Sequence, residues 1–82
     1  MVTIQLFATL RDLAGQPRIE LELTERVTVK ALFERLIQRW PRLKDYQPVL
    51  LIAVNEEYGQ WESRVGPGDE VAFFPPVSGG GE

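Results

Sequence analysis

The sequence predicts an α+β fold in which one principal helix lies across a mixed sheet of four to five strands. Three observations carry that prediction. The stretch from Thr28 to Trp40 has the apolar spacing of an amphipathic helix, short alternating or apolar runs flank it on both sides, and the turn residues between those runs leave no room for a second long helix. At 82 residues the chain can bury one core of that size and no more.

Each element can be argued in order. Val2, Ile4, Leu6 and Ala8 recur at period two, with Thr3, Gln5 and Phe7 between them, so the first strand should bury the former set and point Phe7 outward. Thr9 to Ala14 is compatible with a short helix that Gly15 and Pro17 close. Ile19, Leu21 and Leu23 then alternate with Arg18, Glu20 and Glu22, giving a second strand that would pair with the first as a hairpin. Thr28 suits an N-cap, and Val29, Leu32, Phe33, Leu36, Ile37 and Trp40 form one apolar stripe that Pro41 ends. Burying one such side chain is worth roughly 1.5–3 kcal/mol, so helix-on-sheet packing should dominate stability. Arg42 to Pro48 reads as a polar segment, and the unbroken apolar run Val49 to Val54 reads as a central strand covered on much of both faces. A turn at Asn55-Glu56-Glu57, a short strand from Tyr58 to Trp61 and a turn at Gly66-Pro67-Gly68-Asp69 follow. The last strand, Glu70 to Phe74, has two registers open: Val71 and Phe73 inward, or Ala72 and Phe74 inward. Together these elements make a β-grasp domain over residues 1–76, with Trp40 and Trp61 in or at the edge of its core.

Composition excludes several functions. There is no histidine, so the commonest general base and metal ligand is missing, and no cysteine, so thiolate chemistry and disulfides are excluded. Carboxylates such as Glu20, Glu22, Glu25, Glu56, Glu57, Asp69 and Glu70 show no metal-loop or paired-acid spacing and read as solvated charge. The chain is therefore not expected to be catalytic alone or to hold a metal. A formal net charge of −3 argues against a general nucleic-acid binder. No apolar run approaches the ~20 residues of a membrane span, and Met1 to Gln5 carries no secretory pattern, so the cytoplasm is the expected location. Lys30, Arg35, Arg39, Arg42 and Lys44 read as a solvent face on and after the helix.

The end of the chain is where chemistry is expected. Phe73-Phe74 runs into Pro75-Pro76, which lacks the N–H groups needed to extend a strand, and then into Val77-Ser78-Gly79-Gly80-Gly81-Glu82. Residues 77–82 thus read as a flexible, glycine-rich tail that could thread a channel too narrow for side chains.

The segments Leu6 to Gly15, Ala53-Val54-Asn55 and Gly68 to Gly80 resemble the small subunit of molybdopterin synthase, the MoaD-type ubiquitin-like sulfur carriers. The Phe-Phe-Pro-Pro-Val-Ser-Gly-Gly ending is the most specific part. The resemblance implies a carrier cycle. An ATP-using adenylyltransferase activates the terminal glycine carboxylate, a sulfur donor converts it to a thiocarboxylate, and the large subunit of the synthase, assembled as a heterotetramer, passes the sulfur to cyclic pyranopterin monophosphate. No cofactor would bind this chain directly. Gly80 would carry the adenylate and thiocarboxylate, with Gly81 as the alternative, while Ser78 and Gly79 would enter the partner's channel. Phe7 and Phe74, outward on neighbouring strands, and Arg11 from the shared motif would contact the partner. Gly81-Glu82 extends past the family's usual glycine pair. Removal by a peptidase, residues foreign to the native chain, or a diverged carrier all fit that extension. Two other functions remain open: a carrier for thiamine, cysteine or tRNA thiolation, and a ubiquitin-like interaction module with no terminal chemistry.

Overall fold

The structure is a computed structural model and describes residues 1–76. In chain order it contains β1 (Val2–Leu6), α1 (Thr9–Ala14), β2 (Arg18–Leu21), β3 (Val27–Thr28), α2 (Val29–Arg39), a 3-10 helix (Pro41–Val49), β4 (Leu51–Val54), β5 (Glu57–Gly59), β6 (Arg64–Val65) and β7 (Glu70–Phe74). A five-stranded mixed sheet has the order β2-β1-β7-β4-β5, and β3 pairs with β6 in a separate small ribbon. Within the large sheet only β1 and β7 run parallel. With α2 across one face, this is the β-grasp arrangement.

The helix forms where its stripe predicts and for the expected reasons. Thr28 Oγ1 accepts a hydrogen bond from the Ala31 N–H at 3.1 Å, closing one of the free donors of the first turn. Two more are closed from outside the helix. The Val29 N–H donates to the Ser63 carbonyl (2.8 Å) and the Lys30 N–H to the Trp61 carbonyl (3.0 Å), which ties the β5–β6 connection to the helix start. Val29, Leu32, Phe33 and Leu36 are fully buried, whereas Ile37 and Trp40 are partly covered at the core edge. Phe33 packs on Trp61 and Phe73 with ring centroids 5.3 and 5.0 Å apart, linking helix, loop and sheet in one aromatic group.

The sheet resolves the two registers left open for the last strand. Parallel pairing sets Ile4 beside Val71 and Leu6 beside Phe73, and all four side chains enter the core. Ala72 and Phe74 therefore face outward. Pro67 and Gly68 make the turn before β7, with Gly68 at φ 91°, a conformation that favours glycine.

Five expectations need correction. The apolar run from Val49 to Val54 is not a central strand covered on both faces. β7 occupies the centre, β4 lies between β7 and β5, and Leu51 is 51% exposed. Val49 instead ends the 3-10 helix that replaces the expected polar segment, a helix anchored by buried Leu43. Ala8 does not continue the inward row of β1; it turns at φ 53°, ψ −125° and is exposed. The short strand begins at Glu57 and stops at Gly59, leaving Trp61 in a turn.

Finally, Asp69 and Glu70 are not simply solvated. Asp69 accepts from the Gly66 N–H (2.8 Å) and from Asn55 Nδ2 (3.1 Å), Asn55 Oδ1 accepts from the Glu70 N–H (2.9 Å), and Glu70 accepts from Gln5. The β4–β5 turn is thereby latched to the turn preceding β7.

Candidate functional site

The outer face of the sheet, opposite α2, carries the most distinctive surface. Phe7, one residue past β1, and Phe74, the last residue of β7, stack with centroids 4.6 Å apart and planes 12° from parallel. Parallel pairing brings them together, because Leu6 lies beside Phe73 and the next residue on each strand continues the row. The outward direction predicted for both residues is what makes this pair.

A groove of about 690 Å³ extends from the stack across β4 to β5 and the start of the tail. Leu51, Tyr58, Pro75 and Pro76 contribute most of the surface that sequence reasoning did not anticipate. Tyr58 is 91% exposed and Leu51 half exposed, an arrangement that leaves large apolar area in water. The signal was present in the antiparallel register: Ala53 opposes Tyr58, so once Ile52 is placed inward, Leu51 and Ala53 must share the outer face with Tyr58. Gly59 leaves no room for a side chain, since a Cβ there would lie 2.8 Å from Val54 Cγ2.

Two turns shape the rim. Ala8 bends the chain from Phe7 into α1, and the Asn55-Glu56 turn, with φ values of 51° and 71°, carries the chain from β4 into β5. Two successive left-handed residues suit a tight hairpin. The latch described above fixes that turn, and its two hydrogen bonds hold the Asp69 carboxyl below the usual carboxylate range, first through the Gly66 N–H and then through Asn55, with a smaller contribution from the charge of Arg26.

Arg11 lies elsewhere. It is exposed on α1, 3.9 Å from Asp12, and does not line the groove. The terminal residues predicted to carry chemistry, Ser78, Gly79, Gly80 and Gly81, lie outside the described residues. Among the described residues, no helix is long and apolar enough to cross a membrane. The groove offers apolar contact area from Phe7, Leu51, Phe74 and the two prolines, bordered by the Thr9 and Tyr58 hydroxyls and the Glu56 and Glu57 carboxylates.

A mixed five-stranded sheet crossed by one helix, with an apolar outer face beside Pro75-Pro76, defines a ubiquitin-like β-grasp domain. The solved structure of SAMP1 from Haloferax volcanii has this fold, with a TM-score of 0.80 and 27% identity over 95% of this chain and 97% of that one. The chain belongs to the ThiS family, whose model matches residues 4–80. It is 40% identical over 82 residues to the molybdopterin synthase sulfur carrier subunit of Haemophilus influenzae, covering 98% of this chain and all of that protein. The protein of the same name from Escherichia coli is 38% identical over 84 residues, with the same coverage of 98% and 100%. The resemblance drawn from the Leu6 and Gly68 segments is thus borne out over the whole chain.

Proposed function

We propose that this chain is the sulfur-carrier small subunit of a molybdopterin synthase and works in the cytoplasm. The observation that carries the reading is its near-complete similarity to proteins named for that role, together with a family match that runs through the glycine pair to residue 80. Gly80, once Gly81 and Glu82 are removed, presents the reactive carboxylate. A free carboxylate is a poor acyl donor. Adenylation by a partner enzyme that consumes ATP supplies a leaving group, and delivery of sulfur expels AMP and leaves a thiocarboxylate. The large subunit then receives Ser78 and Gly79 in its channel, and the sulfur passes to cyclic pyranopterin monophosphate within a heterotetramer.

The division of labour fits the residues. A chain with neither histidine nor cysteine has little to catalyse with, so the reacting groups besides the terminus belong to the partners. The Phe7–Phe74 stack and the groove beside it supply the docking face, and they sit where the chain leaves β7 through Pro75-Pro76. Arg11 offers a separate exposed cation to an acidic group on a partner.

Reconstitution tests the reading. Thiocarboxylated chain is mixed with the cognate large subunit and cyclic pyranopterin monophosphate, and the pterin product is analysed for incorporated sulfur. Sulfur in the pterin supports the assignment. A thiocarboxylate that binds no large subunit and donates only to another acceptor would move the protein to a different thiolation pathway.

A further inference from the structure

The groove on the outer sheet face has one sign of charge. Glu56 and Glu57 line it, and a smaller adjoining cavity between Gln5, Ala72 and the aromatic stack is lined by Glu56 and Glu70. No lysine or arginine lines either cavity. Of the nine cations, Arg26, Lys30, Arg35, Arg39, Arg42 and Lys44 fall between residues 26 and 44, Arg11 lies on α1, Arg64 on β6, and Arg18 on the edge strand β2 opposite Gln5, with β1 between it and β7.

The carboxylates at the rim differ in their partners. Glu70 already accepts a hydrogen bond from Gln5, whereas the one ion pair among the described residues joins Arg11 to Asp12 and leaves Glu56 and Glu57 without a cation. Glu56 also keeps a side chain at φ 71°, where glycine would sit more easily. Covering the groove with protein strips water from both groups. An uncompensated carboxylate would then oppose binding, and a cation brought by the partner would turn the same group into an attraction and a selector.

We propose that this face reads a positive charge: its partner is a protein surface that places an apolar protrusion against Phe74, Leu51 and Tyr58 and sets an arginine or lysine on Glu56 and Glu57. The inference rests on the function proposed above and assigns the chemistry of the surface that the large subunit must present. It also gives the groove selectivity. A partner with acidic or neutral groups at the rim would bury the two carboxylates unpaired, so apolar fit alone would not admit it.

Titration calorimetry of the cognate large subunit with the full chain tests this, using wild type, a Glu56→Gln/Glu57→Gln double variant and Phe74→Ala, each at about 0.05 and 0.5 M KCl. Glutamine keeps shape and hydrogen-bonding capacity while removing charge, and matching melting curves confirm that the variants are folded. The wild type should bind about tenfold more weakly at high salt, and the double variant should start about tenfold weaker at low salt with a much flatter salt dependence. If the double variant keeps wild-type affinity and salt dependence while Phe74→Ala binds weakly, charge reading is wrong and the docking role survives. If wild type does not bind the large subunit at all, the underlying functional reading fails with it. Sedimentation of the chain alone supplies the remaining arm. A dimer that dissociates on Glu56→Gln/Glu57→Gln substitution would assign the groove to a second copy, with Lys30, Arg35 or Arg39 of its α2 as the cation source, and would overturn the proposal.

Discussion

Phe7 and Phe74 stack face to face at 4.6 Å on the water-exposed side of the sheet, at the point where β7 gives way to Pro75-Pro76. Aromatic stacking there holds the loop after β1 against the root of the tail, so the proposed docking face and the departure of the chain from β7 are built from the same contact. A double-mutant cycle should return a coupling of about 0.5–1.5 kcal/mol between the two rings in urea unfolding. Either alanine variant should nevertheless fold, because neither ring lies in the core. Binding to the large subunit should suffer more, by about 2 kcal/mol or more for Phe74→Ala. Equal losses in stability and binding would mean the pair is structural packing alone.

Ala8 sits at φ 53°, ψ −125°, a conformation that L-residues rarely adopt. Replacing it with glycine should therefore raise stability by roughly 0.5–1 kcal/mol, against the usual direction for an alanine-to-glycine change. Equilibrium urea denaturation reads this directly. A destabilised Ala8→Gly variant would show that the turn is not strained in solution.

The core depends on α2 lying against β1 and β7. Phe33 is fully buried between Trp61 and Phe73, so Phe33→Ala removes volume that three elements share. A loss of about 3–5 kcal/mol is expected, enough to leave so small a domain largely unfolded at ordinary temperature. Circular dichroism melting would detect it. A loss below about 1 kcal/mol would contradict the packing described.

Asp69 gives the fold a pH dependence of known sign. Hydrogen bonds from Gly66 and Asn55 lower its pKa in the folded chain, so its contribution is complete above the unfolded value of about 3.9 and disappears as pH falls through the lower folded value. Asp69→Asn should be less stable than wild type at neutral pH, and the difference should shrink in acid. A gap that stays constant from neutral pH to strong acid would show that the latch does not depend on ionisation.

Much of this architecture was legible before the structure. The α2 stripe announced itself because one face packs and the other is solvated, and the alternation in β1 set three inward residues without ambiguity. The end of β7 was legible only in part. Its two registers are equivalent by pattern, and the choice between them comes from parallel pairing with β1, a long-range contact that no local window contains. The groove was missed for a different reason. An apolar run such as Val49 to Val54 looks the same whether its second face is covered by the protein's own chain or left for another protein, so Leu51 read as core. Ala8 was hidden too, since alanine gives no sign of positive φ in the way glycine does. Phe7, by contrast, stood out as an aromatic residue on the polar side of an alternating strand.

The central claim is that the carboxylate of Gly80 is the reactive group of this protein. Intact-mass spectrometry tests it most directly: the chain ending at Gly80 is incubated with ATP, its adenylyltransferase and a sulfur donor, and weighed alongside a control lacking ATP. The account predicts an ATP-dependent gain equal to exchange of one oxygen for sulfur, located to Gly80 by fragmentation. An unchanged mass with an active enzyme and donor, or a sulfur placed on any other residue, would contradict it.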